Sequence, residues 1–176
     1  EAFRHGITKM SHLHFTSTEK YRDRVIQMGE HPDSVFNVGA LGVHCLSKWK
    51  LMSKPELEES IKFKFGERNL LITFHPVTLE KSTAHQQFLN LLKALDDLKN
   101  TKLIFTKANA DTDGNLINQL IDEYVTKEPQ KAVAFTSLGQ IRYLSVMNFV
   151  DGVVGNSSSG IIEAPSMGVG TINIGD

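Results

Sequence analysis

The stretch that decides the fold is DGVVGNSSSGIIEAPSMGVGTINIGD, residues 151–176. An apolar run that ends at Gly155 leads into Asn-Ser-Ser-Ser-Gly. A helical pattern that carries Glu163 follows and is stopped or kinked at Pro165. A second apolar run, TINIG, comes next. These patterns predict a strand, a polar turn, a helix and another strand, which is a repeating unit of parallel sheets.

The same alternation extends back along the chain. The predicted strands are residues 69–75, 101–109, 131–137, 151–156 and 171–175, and the predicted helices are residues 82–100, 114–127, 139–149 and 158–168. The helix over 82–100 has one apolar face made of Phe88, Leu91, Leu92, Leu95 and Leu98. Strands joined by helical crossovers predict an α/β fold with a parallel sheet covered on both faces. Ligands of such sheets lie beyond the carboxyl ends of the strands.

The first forty residues repeat the pattern on a smaller scale. Helical spacing over 1–11 and 16–30 predicts two helices, and the second begins at Ser and Thr caps and ends at Gly29. Strands are predicted over 12–17 and 34–40. The variable stretch that follows, with Trp49 and Pro55, is predicted to hold a domain linker.

Composition narrows the classes of function. The chain has 176 residues, a net charge of −1 and a single cysteine, Cys45. A near-neutral chain has no global basic field for nucleic acid or an anionic membrane. One cysteine excludes an internal disulfide, and no apolar run approaches the roughly 18–20 residues of a membrane span. We therefore expect a cytoplasmic protein with no nucleic-acid or membrane partner.

The Ser-rich turn is the first candidate site. Free backbone N–H groups between a strand and a helix, the helix dipole and the hydroxyls of Ser157, Ser158 and Ser159 together suit a phosphate or diphosphate. Glu163, a few residues on, can accept hydrogen bonds from ribose hydroxyls. The alternative is plain helix capping by serine, which needs no ligand.

Other candidates stand at or beyond strand ends. His75 ends a predicted strand and can act as an acid or base near neutral pH, or it is an ordinary surface histidine. Asn109 lies in a polar loop where it either binds a sugar or phosphate or only forms a turn, and the ring of Tyr143 can stack on a base or pack in the core. His12 and His14 share a strand face without a fixed third ligand, so no metal site is predicted.

The chain resembles the UDP-N-acetylglucosamine 2-epimerases, particularly the hydrolysing kind that begins sialic acid biosynthesis. The resemblance rests on RHGITKMSHLHFTSTEKYRDRVIQMGE, FNVGALG, LITFHPVTLE and VGNSSSGIIEAPSMGVGTINIGD. Non-hydrolysing relatives usually carry HRRE where this chain has HPVT, and SGG where it has SSS. These differences favour the hydrolysing branch.

The resemblance implies a Rossmann-like sheet that is part of a two-domain glycosyltransferase-B fold. Residues 1–40 are then the tail of the N-terminal domain, residues 41–60 the linker, and residues 61–176 an incomplete C-terminal, UDP-binding domain. The chain is expected to be an internal fragment that is inactive alone, because the half that bears the catalytic carboxylates lies outside it. The full-length protein is expected to be a homo-oligomer, a dimer or tetramer.

The resemblance also assigns roles to residues. Ser157 and Ser158 are expected to contact the diphosphate of UDP, and Glu163 the ribose hydroxyls. His75 is expected to be the active-site histidine near the sugar and diphosphate.

Three further positions follow from the resemblance. Asn109 is expected near the nucleotide, Tyr143 against uracil, and Arg4 in a segment just after a catalytic carboxylate of the family. The implied reaction is elimination of UDP followed by hydration of the resulting glucal, and it requires no metal or redox cofactor.

Three alternatives remain open at the level of sequence. The first is a UDP-sugar-dependent glycosyltransferase of the same fold. The second is an epimerase that acts on UDP-diacetylbacillosamine. The third is a non-catalytic protein that binds a nucleotide sugar.

Overall fold

The computed structural model describes residues 2–46, 48–76, 84–108 and 112–175. The chain divides into two compact units, residues 1–49 (unit 1) and residues 50–176 (unit 2). The division falls inside the stretch predicted to be a linker, residues 41–60. Each unit is built around its own parallel sheet.

Unit 1 has a two-stranded parallel sheet, with strands β1 (His14–Thr16) and β2 (Val35–Asn37). Its helices are α1 (Ala2–Met10), α2 (Glu19–Gln27) and α3 (Leu41–Leu46). The hydroxyl of Thr18 accepts a hydrogen bond from the Tyr21 N–H and caps α2, as the Ser/Thr pattern predicts. The predicted elements of this region are therefore confirmed in kind and order, with shorter strands.

Unit 2 holds a five-stranded, fully parallel sheet in the order β5-β4-β3-β6-β7. Its elements in chain order are α4 (Lys54–Ile61), β3 (Arg68–Thr73), α5 (Ala84–Asp96), β4 (Thr101–Thr106), α6 (Thr112–Lys127), β5 (Ala132–Phe135), α7 (Gly139–Phe149), β6 (Gly152–Gly155), α8 (Glu163–Ser166) and β7 (Gly170–Asn173). Counted within the unit, this is the order 3-2-1-4-5 of Rossmann-type sheets.

Strands β3, β4 and β6 of the sheet in unit 2 are largely buried, as the apolar runs predict, whereas the edge strand β7 is exposed along its length. Successive residues of a strand point to opposite faces, so Ile72 belongs to one apolar cluster and Leu71 to the other. The first cluster packs under α5 and α6, with Phe88 and Ile117 fully buried. The second packs under α4 and α7 and includes Leu57, which is also fully buried. Unit 2 therefore has the three-layer α/β arrangement expected from the sequence.

One predicted helix is wrong in its extent. Residues 158–168 form a 3₁₀ turn, Ser158–Gly160, and then the short helix α8 instead of one continuous helix. The Gly160 carbonyl accepts a hydrogen bond from the Thr171 hydroxyl of β7, which ties it to the sheet. Pro165 has no N–H to give the Ile161 carbonyl. These two features divide the segment.

A second correction concerns the end of α5. The helix stops at Asp96, so Leu98 lies beyond it and is 38% exposed. Phe88, Leu92 and Leu95 form the buried face as predicted, and Leu91 is partly buried beside them.

Of the two histidines predicted to share a strand face in unit 1, His14 serves the local structure, whereas His12 is exposed and precedes β1. His14 is buried, and its Nε2 lies 3.2 Å from Oε2 of Glu30. Glu30 also pairs with Lys9, and the hydrogen bond from Lys9 is the main reason its pKa is lowered. Among the described residues no three His, Cys, Asp or Glu side chains are grouped as metal ligands would be. No helix in that part of the chain is long and apolar enough to cross a membrane.

Candidate functional site at the carboxyl edge of the sheet

A cavity of about 380 Å³ opens beyond the carboxyl ends of strands β3 to β6. It is lined by Thr73, His75, Thr106, Lys107, Thr136, Ser137, Leu138, Gly139, Gln140, Tyr143, Ser157 and Ser159. These residues come from four strand ends and from the start of α7. The cavity lies where the connections of the sheet change direction, because β4 flanks one side of β3 and β6 the other. Such a switch point is the usual ligand site of a doubly wound sheet.

The loop after β3 carries His75 to the cavity. Phe74 is buried in the core, where its ring centroid lies 5.4 Å from that of Phe88. Since side chains alternate along an extended chain, anchoring Phe74 in the core turns His75 away from it. His75 is half-buried and lines the cavity from the loop two residues beyond the end of β3, whereas the strand was predicted to end at His75 itself.

The turn after β6 faces the same cavity. Ser157 and Ser159 line it, whereas Ser158 is exposed and does not. The Ser157 hydroxyl accepts a hydrogen bond from the Ser159 N–H at 3.3 Å. Because α8 spans only Glu163–Ser166, the helix dipole invoked from the sequence contributes less here than predicted. Since the N–H groups of Ser159 and Gly160 already donate to Ser157, the hydroxyls are the main donors that this turn offers to an anion.

Two candidate residues carry unsatisfied polar atoms. The Tyr143 hydroxyl and Oε2 of Glu163 are buried and have no hydrogen-bond partner among the described residues. Buried polar groups without partners are rare in folded proteins, and each calls for an explanation. Tyr143 lines the cavity; Glu163 stands at the start of α8, outside the cavity lining. For the Tyr143 hydroxyl, a molecule bound in the cavity that supplies a partner is one explanation.

Two further residues of the predicted set are Asn109 and Arg4. Asn109 is outside the described residues. Arg4 belongs to α1 in unit 1, where it lines a separate concavity of about 680 Å³ together with Tyr21 and Arg24. The cavity of unit 2 therefore brings together His75, Tyr143 and Ser157 from the predicted set.

Several cavity residues were missed from the sequence. The hydroxyls of Thr73 and Thr106, at the ends of two neighbouring strands, lie 2.6 Å apart. Lys107 follows directly and pairs with Asp122 at 2.6 Å. The sequence signal that could have identified these residues is their position, since each of them ends or directly follows an apolar run. Single hydroxyls and lysines at such positions are too common to select from sequence alone.

The strand order defines unit 2 as a Rossmann-like α/β fold, and the cavity at its switch point is the candidate ligand site. The family follows from comparison of the whole chain. A family model described as UDP-N-acetylglucosamine 2-epimerase matches residues 1–176, and the chain belongs to that family.

Two relatives are equally similar by identity. The chain is 45% identical over 176 residues to the GDP/UDP-N,N'-diacetylbacillosamine 2-epimerase (hydrolyzing) of Campylobacter jejuni, covering 100% of this chain and 46% of the relative. It is 45% identical over 180 residues to the polysialic acid biosynthesis protein P7 of Escherichia coli, covering 100% of this chain and 44% of the relative. The chain thus spans less than half the length of these curated relatives.

Solved structures agree with the fold. The UDP-GlcNAc 2-epimerase of Neisseria meningitidis, crystallised with UDP-GlcNAc, matches with a TM-score of 0.78 at 17% identity, over 100% of this chain and 48% of that chain. At this identity the likeness concerns the fold alone. It confirms the α/β, Rossmann-like architecture predicted from the sequence.

Proposed function

We propose that this chain forms part of a hydrolysing UDP-N-acetylglucosamine 2-epimerase, which converts UDP-GlcNAc to N-acetylmannosamine and UDP. The observation that carries the proposal is the meeting of His75 with the Ser-rich turn in one switch-point cavity, in a chain that belongs to this family throughout. The whole protein would have the two-domain glycosyltransferase-B fold, with residues 61–176 in its UDP-binding domain.

The proposed reaction has two steps. In the first, a base removes the C2 proton of the sugar, the C–H electron pair forms the C1–C2 double bond, and the C1–O bond breaks with its electrons leaving on UDP. In the second step, water adds a hydroxyl group to C1 and a proton to C2. The proton arrives on the face of C2 opposite to the one from which the first proton was removed. The products are free N-acetylmannosamine and UDP.

Residues of this chain would stabilise the UDP leaving group. Negative charge grows on the diphosphate as the C1–O bond breaks, so fixed donors at that point stabilise the transition state. The hydroxyls of Ser157 and Ser159, which face the cavity, would supply such donors, together with backbone amides around Ser158. His75 would donate a hydrogen bond or a proton to the departing oxygen.

The ribose and the base of the nucleotide would contact the remaining candidate residues. The ribose hydroxyls would bond to Glu163, and uracil would pack near Tyr143; each of these residues holds a buried polar atom that has no hydrogen-bond partner in the described part of the chain. Asn109 and Arg4 keep what the family resemblance implies: Asn109 would lie near the nucleotide, and Arg4 in the substrate-binding segment just after a catalytic carboxylate. Lys107 would add a positive charge at the cavity.

A second substrate has a specific observation in its favour. The Campylobacter relative, at 45% identity, is named for N,N'-diacetylbacillosamine. The same elimination and hydration apply to that sugar, because the chemistry takes place at C1 and C2. The discriminating contacts would surround the substituent at C4.

The function is tested with the full-length protein, incubated in D₂O with UDP-GlcNAc or with UDP-N,N'-diacetylbacillosamine and followed by proton NMR. We expect UDP and a free 2-epimeric sugar that carries deuterium at C2, since the proton added there comes from solvent. Turnover of only the diacetylated substrate would select the second candidate. A product still linked to UDP, a requirement for an acceptor, or binding without turnover would contradict the proposal.

A further inference from the structure

Asn156 joins the two loops that meet at the switch point. Its Oδ1 accepts a hydrogen bond from the His75 N–H at 2.7 Å, and its Nδ2 donates to the His75 carbonyl at 2.6 Å. The two residues are 81 positions apart in the chain. A single side chain therefore contacts both backbone polar groups of His75.

The position of Asn156 explains why a side chain, and not the backbone of β6, forms the hydrogen bonds to His75. The backbone pairing of β3 with β6 ends at Thr73 and Gly155, and the Asn156 N–H adds one more bond to the Thr73 carbonyl at 3.1 Å. The chain then turns away into Ser157. In the described part of the chain, no backbone hydrogen bond joins β6 to His75. The carboxamide of Asn156 takes the place of the next rung of the ladder.

An amide suits this position for a chemical reason. Among short side chains, only Asn holds an acceptor and a donor in one rigid plane, which matches the N–H and C=O of a single residue. An Asx turn, in which Asn bonds to its own neighbouring backbone, would explain the residue without any long-range role. The observed partners belong to the loop after β3, so the contact is tertiary.

We propose that Asn156 is a positioning residue that fixes the backbone of His75, and through it the imidazole, against the Ser-rich turn. The catalytic part of this inference rests on the proposed function. The Ser-rich turn is held by other hydrogen bonds, including the one that the Gly160 N–H donates to the Ser157 carbonyl at 3.0 Å. Loss of the amide should therefore displace His75 more than the residues that hold the nucleotide.

The test uses Asn156→Ala in the full-length protein, with two readouts. Hydrogen–deuterium exchange of the His75 amide should become about tenfold faster, the factor expected for loss of about one net hydrogen bond. The kcat for the UDP-sugar should fall by about a hundredfold, because a small misplacement of a reacting group has that effect. The KM should stay within about threefold of the parent value, since nucleotide contacts are retained.

Two further variants sharpen the result. Asn156→Asp is isosteric and keeps the acceptor for the His75 N–H, but it puts a carboxylate oxygen against the His75 carbonyl, which repels it. It should raise the His75 exchange rate and lower kcat in the same direction as Asn156→Ala, and it replaces that variant if the alanine variant fails to fold. Asn148→Ala, at an exposed position of α7, is the matched control and should change neither readout.

Failures of the two proposals are distinguishable. An unchanged His75 exchange rate in Asn156→Ala would overturn the positioning role whatever the activity. Faster exchange with parental kcat would overturn its catalytic consequence. If the parent protein turns over neither UDP-sugar, the proposed function fails, and the exchange experiment still decides whether Asn156 holds His75.

Discussion

Replacing Gly155 with alanine is expected to cost the chain about 4 kcal/mol of unfolding free energy, from overpacking and backbone strain together. A Cβ at this position would lie 1.8 Å from the Thr73 carbonyl oxygen, and the residue has a φ of 144°. The obstacle is backbone held in the sheet, so it cannot rotate away as a side chain would. The same change would push β6 from β3 and open the switch point.

Gly168→Ala is the matched control for this prediction. Gly168 also has a positive φ, 71°, but an added Cβ would meet nothing within 4 Å. We expect it to cost about 1 kcal/mol, the strain of the left-handed conformation alone. Urea denaturation of the chain and of both variants measures the difference. Equal losses for the two variants would show that close packing at Gly155 is unimportant.

The second large effect is expected at His75. In the full-length protein, His75→Gln should lower kcat by about a hundredfold to a thousandfold, the usual effect of removing a proton donor or a transition-state hydrogen bond. The KM should change little, because the interaction strengthens only as the diphosphate leaves. Steady-state kinetics on the preferred UDP-sugar measures both constants.

A histidine outside the cavity provides the comparison. The side chain of His31, in unit 1, is 76% exposed, and His31→Gln should keep parental kinetics. A His75→Gln enzyme with kcat within about threefold of the parent would exclude the proposed role for this residue. A loss confined to KM would instead assign His75 to ground-state binding.

The architecture of unit 2 was predictable because its signals are local. Apolar runs such as 69–75 and 151–156, separated by amphipathic helices, predict strand type and order along the chain. The buried alternation of Leu71 and Ile72 then follows from the pleat. The division of the helix over 158–168 was only partly predictable, because Pro165 marks a stop or kink in the sequence whereas the contact between Gly160 and Thr171 is created only by the folded sheet.

The residues of the candidate site were only partly predictable from the sequence. His75 and Ser157 stand at strand ends, so a rule about parallel sheets places them together without further information. The choice of Ser159 over Ser158 as the cavity-facing hydroxyl depends on the 3₁₀ turn, which the sequence pattern does not specify. Asn is common in turns, so Asn156 resembles an ordinary turn residue in the sequence. Its hydrogen-bond partner, His75, is 81 positions away, so no local sequence pattern reveals the contact.

The central claim is that the switch-point cavity binds UDP through the Ser-rich turn. Calorimetric titration of the full-length protein with UDP, beside Ser159→Ala and Ser166→Ala, tests it most directly. Ser159 faces the cavity, whereas Ser166 is exposed on α8 and its hydroxyl bonds to the Ile162 carbonyl. We predict that Ser159→Ala weakens UDP binding by about tenfold or more, as expected for a hydrogen bond to a charged group, and that Ser166→Ala leaves it unchanged. Absence of UDP binding by the folded parent protein, or equal affinity in all three proteins, would contradict the claim.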